Sequence, residues 1–187
     1  AIGVFTLRYN SLELGLYGYF RRYAPGDAAT QALLFSMLHN SARAEFILAM
    51  AQTREKEPEA AAIAHVIKCF NICCENRNLL LHATPMWWEN DGEALTLAKL
   101  RRQEPHRMTI YDFSLEAIRE AADSVDLTDC YSSAVQKGIV AREAWNALNP
   151  APPPELPPQP PLPRKLDLSR RPEGRAGEPP PRESEQG

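Results

Sequence analysis

The residues best equipped for chemistry close one helical stretch, Pro58 to Pro85. Read at helical period, Ile63, Ile67, Phe70, Cys74, Arg77 and Leu81 follow steps of 4, 3, 4, 3 and 4 and share one face. Arg77 is out of place on an apolar face. Beside it runs a second row, Asn71, Glu75, Asn78 and His82, in which every member is polar. The stretch therefore ends with a guanidinium on its buried side and an imidazole on the adjacent one. A guanidinium holds anions in a forked geometry, and an imidazole exchanges protons near neutral pH. On an ideal helix five residues separate Arg77 and His82 by about 140°, so convergence within one straight helix is not expected. A loosened last turn, or pairing across a dimer axis, would bring them together. The plain alternatives are an arginine paired with Glu13 or Glu75 and a histidine bonded to the last carbonyls of its helix.

Other groupings carry less. His65, Cys69 and Cys73 fall at i, i+4 and i+8, and the first two could share a metal. No second pair completes a tetrahedral set, so core or half-buried thiols are expected, with no metal and no cofactor. The fourth cysteine, Cys130, is distant in sequence, and reduced thiols fit better than a disulfide framework. Glu13 and Arg43, on the first and second helices, are candidates for a buried pair that orients the site, or for an ordinary surface pair. There is no glycine-rich phosphate loop, Ser-His-Asp pattern or HExxH in the sequence.

These residues need a frame. A first helix from about residue 4 to Tyr23 carries Ile2, Phe5, Tyr9, Leu12, Leu16 and Tyr19 on one side and Leu7, Leu14 and Tyr17 on another. A helix apolar over so much of its circumference needs its own bundle and, on one reading, a second copy of the chain. Asp27 caps a second helix expected to reach Arg54, with Leu34, Met37, Leu38, Phe46 and Leu48 inward and Phe35 extending that face. Pro58 opens the third helix and Thr84-Pro85 ends it. Between 86 and 110 the pattern changes to two short strands, Met86–Glu89 and Ala94–Leu100, around Asn90-Asp91-Gly92, with a further extended segment from His106 to Tyr111. Lys99, Arg101, Arg102, His106 and Arg107 form a basic cluster there, read either as an RNA contact or as a charged hairpin edge. Ser114 caps a last helix to about Leu148, with Leu115, Ile118, Ala122 and Val125 inward. Cys130, Ala134, Ile139, Trp145 and Leu148 continue that face less cleanly, and a kink is expected at Asp126–Asp129.

Composition sets the outer limits. Of the 187 residues, 1–149 make one domain, and 150–187 form a proline-rich tail that holds 13 of the 17 prolines. Such a tail cannot bury enough apolar area to offset its ordering entropy and is expected to be disordered. Within it, Pro160–Lys165 has the form of a PxxP ligand. The formal net charge of −3 argues against strong non-specific nucleic-acid binding, so any RNA contact must be local. With no leader and no run of about 18 apolar residues, a soluble cytoplasmic protein outside the membrane is expected. The absence of an initiator Met suggests an incomplete amino terminus.

Four helices ending the third with Glu75-Asn76-Arg77-Asn78-Leu79-Leu80-Leu81-His82 resemble the HEPN superfamily, whose signature is Arg, a polar residue, a few residues and His. Tyr9–Leu14 is similar to a segment of small bacterial members, and the hairpin before the last helix also occurs in them. The resemblance implies an all-α fold, an up-down four-helix bundle with a small β-hairpin between its third and fourth helices. It implies a homodimeric, metal-independent endoribonuclease with Arg77, Asn78 and His82 at the site, Glu13 and Glu75 in support, and Lys99, Arg101, Arg102 and Arg107 on the RNA. A toxin, defence or stress role follows from it, with a cognate antitoxin or nucleotidyltransferase as partner. Many members are catalytically silent, which leaves an RNA- or protein-binding module as the alternative.

Overall fold

The computed structural model describes residues 1–85, 94–100, 108–166 and 169–170. Among these, five helices and a small sheet enclose one core. Helix α1 (Ile2–Tyr23) buries Phe5, Tyr9, Leu12, Leu16, Tyr19, Phe20 and Tyr23 on one side, as its periodicity requires. Each such large side chain contributes roughly 1.5–3 kcal/mol when removed from water. Its other side turns Val4, Leu7 and Leu14 to solvent, the last two about 70% exposed.

The expected second helix is two helices, which makes five among the described residues. Asp27 does cap the first of them, α2 (Ala28–Met37), by accepting from Thr30 N at 2.8 Å. Leu38 is then extended at φ −88° and ψ 141°. His39 restarts the chain as a cap: its Nδ1 accepts from Ala42 N at 3.3 Å, opening α3 (Asn40–Arg54). A side chain that can satisfy a free helix N–H makes the break cheap. The break also changes the inward face. Leu34 and Met37 are exposed, whereas Ala44, Ile47 and Ala51 are buried. Phe35 reaches the core through a cluster of tilted rings with Tyr17 and Phe20.

Helix α4 (Glu59–His82) passes through the middle of the molecule. Ile63, Ile67 and Phe70 are buried as expected, but the face then shifts by one residue. Cys73, Asn76 and Leu80 are buried, and Cys74, Arg77 and Leu81 lie at the margin of the core. Helix α5 (Leu115–Leu148) is capped by Ser114, whose Oγ accepts from Ala117 N at 3.0 Å, and is not split at Asp126–Asp129. Ile118, Ala122, Val125, Thr128, Ser132, Val135 and Ile139 form one continuous buried row. Thr128 satisfies its buried hydroxyl by donating back to Ser124 O at 2.7 Å. Cys130, Ala134, Trp145 and Leu148, expected on that face, are exposed. No described helix is long and apolar enough to cross a membrane.

The sheet has the order β1-β2-β3-β4, with β1 Thr84–Pro85, β2 Ala94–Leu100, β3 Met108–Ser114 and β4 Ser169–Arg170, each pair antiparallel. The β2–β3 register sets Leu97 opposite Tyr111 and Leu95 opposite Phe113, and Leu97 and Phe113 enter the core. The expected strand Met86–Glu89 and turn Asn90–Gly92 lie outside the described residues.

The tail departs most from expectation. Residues 151–166 lie along α5 and α4 rather than free of them: Pro163 is buried, and Leu156 and Leu166 pack against the core. The body supplies hydrogen-bond donors that composition alone does not reveal, and these replace the apolar area the tail lacks.

Candidate functional site

Three helices bring one chain of polar groups together. In α1, Tyr9 and Glu13 stand one turn apart. The start of α3 supplies Asn40 and, a turn later, Arg43. The end of α4 supplies Arg77, Asn78 and His82. Arg43 Nη1 donates to Glu13 Oε1 at 2.6 Å and to Asn40 Oδ1 at 2.8 Å. Its Nε donates to Phe35 O at 2.8 Å, and its guanidinium lies 4.1 Å from the centre of the Phe35 ring. The Glu13–Arg43 pair is thus largely withdrawn from water and fixes α1 against α3. Asn40 Nδ2 in turn donates to the Tyr9 hydroxyl at 2.8 Å. Burial, with Cys74 and the Glu13 charge adding to it, raises the Tyr9 hydroxyl pKa well above the usual phenol range, so Tyr9 stays protonated.

Arg77 lies over Tyr9, its guanidinium carbon 5.7 Å from the ring centre. Its Nη1 donates to Asn78 Oδ1 at 3.1 Å and meets His82 Nε2 at the same distance. Arginine has no acceptor, so Nε2 must accept and the ring proton sits on Nδ1. Asn78 Nδ2 reaches Cys74 Sγ at 3.7 Å. The Arg77 Nε is buried with no partner among the described residues.

Arg77, Asn78 and His82 therefore converge within a single helix, contrary to the angular expectation. Helical side chains lean toward the amino terminus, so the His82 ring falls back toward the turn that holds Arg77, and the long arginine closes the rest. The result is an exposed imidazole with an unprotonated nitrogen beside a positive charge that no carboxylate neutralises among the described residues. Such a pair can bind an anion and accept a proton next to it.

The other expected site residues divide. Glu13 supports the cluster through Arg43, Asn40 and Tyr9. Glu75 does not: it is exposed and pairs with Lys165 Nζ at 2.6 Å. Lys99 is exposed on β2, whereas Arg101, Arg102, His106 and Arg107 lie outside the described residues. His65 turns Nε2 to Pro160 O at 2.9 Å, away from any shared site with Cys69. Burial raises the Cys69 thiol to about 11 and the Cys73 thiol to about 12. Sequence reasoning missed Tyr9 and Asn40 as site residues. Tyr9 sits on an apolar stripe and reads as core, and Asn40 reads as mid-helix until the break at Leu38 is known. No family model, curated protein or solved structure matches the chain.

Proposed function

We propose that the protein is a metal-independent endoribonuclease of HEPN type that works as a homodimer. The observation that carries this reading is the 3.1 Å contact between Arg77 Nη1 and His82 Nε2 at an exposed helix end. In this reaction Arg77 Nη1 turns from His82 Nε2 to the phosphate, which frees Nε2 to take the proton from a ribose 2′-hydroxyl. The 2′-oxygen bonds to phosphorus, the bond from phosphorus to the 5′-oxygen breaks, and that oxygen leaves with a proton from the imidazole of the second copy. Arg77 holds the phosphoryl oxygens as charge builds on them. Asn78 fixes the guanidinium, and Tyr9, backed by Asn40, Arg43 and Glu13, supports it from below. The products carry a 2′,3′-cyclic phosphate and a 5′-hydroxyl.

Single-stranded RNA incubated with the protein in EDTA tests this. His82→Ala is expected to lose ~10²-fold or more in rate, the scale of a positioned acid–base group. Its melting temperature should stay within about two degrees of the wild type, since an exposed residue changes stability by at most ~0.5 kcal/mol. Substrate lacking the 2′-hydroxyl at the cut site should resist. Activity that vanishes in EDTA, or that persists at full rate in both His82→Ala and Arg77→Ala, overturns the mechanism. The second reading, a catalytically silent HEPN-like module that binds RNA or protein, is favoured by the way the body engages the proline-rich segment.

A further inference from the structure

Residues 151–166 lie against the helical body in one direction, back along α5 from its C-terminal end and across α4. Trp145 Nε1 donates to Ala151 O at 3.0 Å, Arg142 Nη1 to Pro154 O at 2.5 Å, and His65 Nε2 to Pro160 O at 2.9 Å. Asn76 Nδ2 donates to Arg164 O at 3.0 Å, while Asn76 Oδ1 accepts from Leu166 N at 2.9 Å. A proline-rich strand offers carbonyls and few N–H groups, and the body meets it with four side-chain donors. Asn76 is only 3% exposed and is satisfied by this segment on both sides of its amide.

The order of contacts is that of an extended chain, and its proline content favours a polyproline helix. Thirteen residue steps from Ala151 to Arg164 at about 3.1 Å each cover about 40 Å. The helix they follow, from Trp145 to Glu120, covers about 38 Å at 1.5 Å per residue. The residues turned inward are Pro153, Leu156 and Pro157, then Pro160, Pro163 and Leu166, a three-residue period that shifts by one residue at Leu156-Pro157. Gly138 makes the seat for Leu156: a Cβ there would lie 2.8 Å from Leu156 Cδ2. At the far end Lys165 pairs with Glu75 at 2.6 Å and Arg164 with Glu120 at 3.8 Å.

We propose that this α4–α5 groove is a binding site for proline-rich segments that end in a basic pair, and that residues 151–166 are its resident, exchangeable ligand. Four features recur in such recognition: an extended helix with low ordering entropy, apolar contacts at every third position, carbonyls met by side-chain donors, and acids reading the terminal cations. Exchange follows from the nature of the contacts. Both ion pairs are exposed and therefore weak and screened by salt. Much of the segment faces solvent. Its tether adds to the hydrogen bonds and apolar contacts by placing the ligand at an effective concentration in the millimolar range. The inference is independent of the reaction proposed above, because none of Asn76, His65, Gly138 and Trp145 belongs to the Arg77 cluster.

The test uses full-length chains and a labelled peptide of residues 151–166, read by fluorescence anisotropy. Pro163→Asp with Leu166→Asp frees the groove without altering the body. The peptide is expected to bind this variant saturably, with an apparent affinity at least ~10-fold above that for the wild type, whose own tail competes. Adding Gly138→Leu fills the Leu156 seat while favouring the helix, and should lower peptide affinity at least ~10-fold with helical circular dichroism unchanged. Equal binding to wild type and the Pro163–Leu166 variant, or no binding at millimolar peptide, overturns the proposal. So does a loss of more than about 10 °C in the melting temperature of the tail variant, which would make the segment part of the fold.

Discussion

At the scale of single residues, Arg77 does two things with one nitrogen: Nη1 donates to both Asn78 and His82. A lysine keeps the charge but not the planar fork or its reach. Arg77→Lys is therefore expected to lose ~10²-fold in RNA cleavage, the scale of losing one positioned transition-state donor, while circular dichroism stays unchanged. A loss under threefold would mean that charge alone suffices. The thiols offer a check on the core that involves no activity. Burial keeps Cys69 and Cys73 protonated at neutral pH, with their pKa values raised to about 11 and about 12, whereas Cys130 is exposed. Alkylation of the native protein at pH 7.5, read by mass spectrometry, should mark Cys130 before either of the other two. Early labelling of Cys73 would contradict the packing around it. Arg77, Asn78 and His82 were legible in the sequence because their types are conspicuous at a helix end. Their convergence was not, because it depends on the lean and reach of side chains rather than on positions around a wheel. Asn76 was passed over for a different reason: nothing local distinguishes a buried amide from an exposed one when its partners lie some 90 residues away.

At the scale of elements, apolar periodicity predicted the buried row of α1 well, because Phe5, Tyr9, Leu12, Leu16 and Tyr19 recur at helical spacing. It slipped by one residue at the end of α4, where Ile72-Cys73-Cys74 and Leu79-Leu80-Leu81 offer apolar side chains in every direction. It also joined α2 to α3, because a histidine cap is a weak signal beside a continuous apolar pattern. The helix ends are tied by charge. Arg22 donates to Glu55 at 2.8 Å and also pairs with Glu143, and Tyr23 donates to Glu55 at 2.8 Å, so the ends of α1 and α3 meet α5 there. Burial works against the Glu55 carboxylate, but the bonds from Arg22 and Tyr23 outweigh it and hold its pKa below the usual value. A depressed carboxylate pKa stabilises the fold above the unfolded value of about 4.3, and that contribution is lost as pH falls through the folded value. Glu55→Gln is expected to lower the melting temperature by about 2–4 °C at pH 7, the scale of 1 kcal/mol for this chain length. The gap should narrow as pH falls below the unfolded value and through the lower folded one, where the wild-type carboxylate itself becomes neutral. A gap that stays constant across this range would assign the loss to packing and not to charge.

At the scale of the whole molecule, the proposed reaction asks for more than one chain supplies. Transfer through a 2′-hydroxyl needs one proton taken and one given, and the Arg77 cluster holds a single imidazole. In the proposed homodimer the second copy would provide the other. The face available for that contact is the outer side of α1, where Val4, Leu7 and Leu14 recur at helical spacing and are turned to solvent, opposite the row that enters the core. An exposed apolar stripe is most simply explained by a partner that covers it. Leu7→Glu with Leu14→Glu is expected to halve the mass measured by light scattering at tens of micromolar. RNA cleavage should fall by ~10²-fold, the contribution of one proton-transfer group. The melting temperature of the variant monomer should resemble that of the diluted wild type, because neither leucine contributes to the core. Dilution of the wild type should lower its specific activity over the same range in which its mass falls. A variant that stays dimeric would place the interface elsewhere. A monomer that cleaves at the full rate would show that one Arg77–His82 pair suffices, with His82 acting first as base and then as acid.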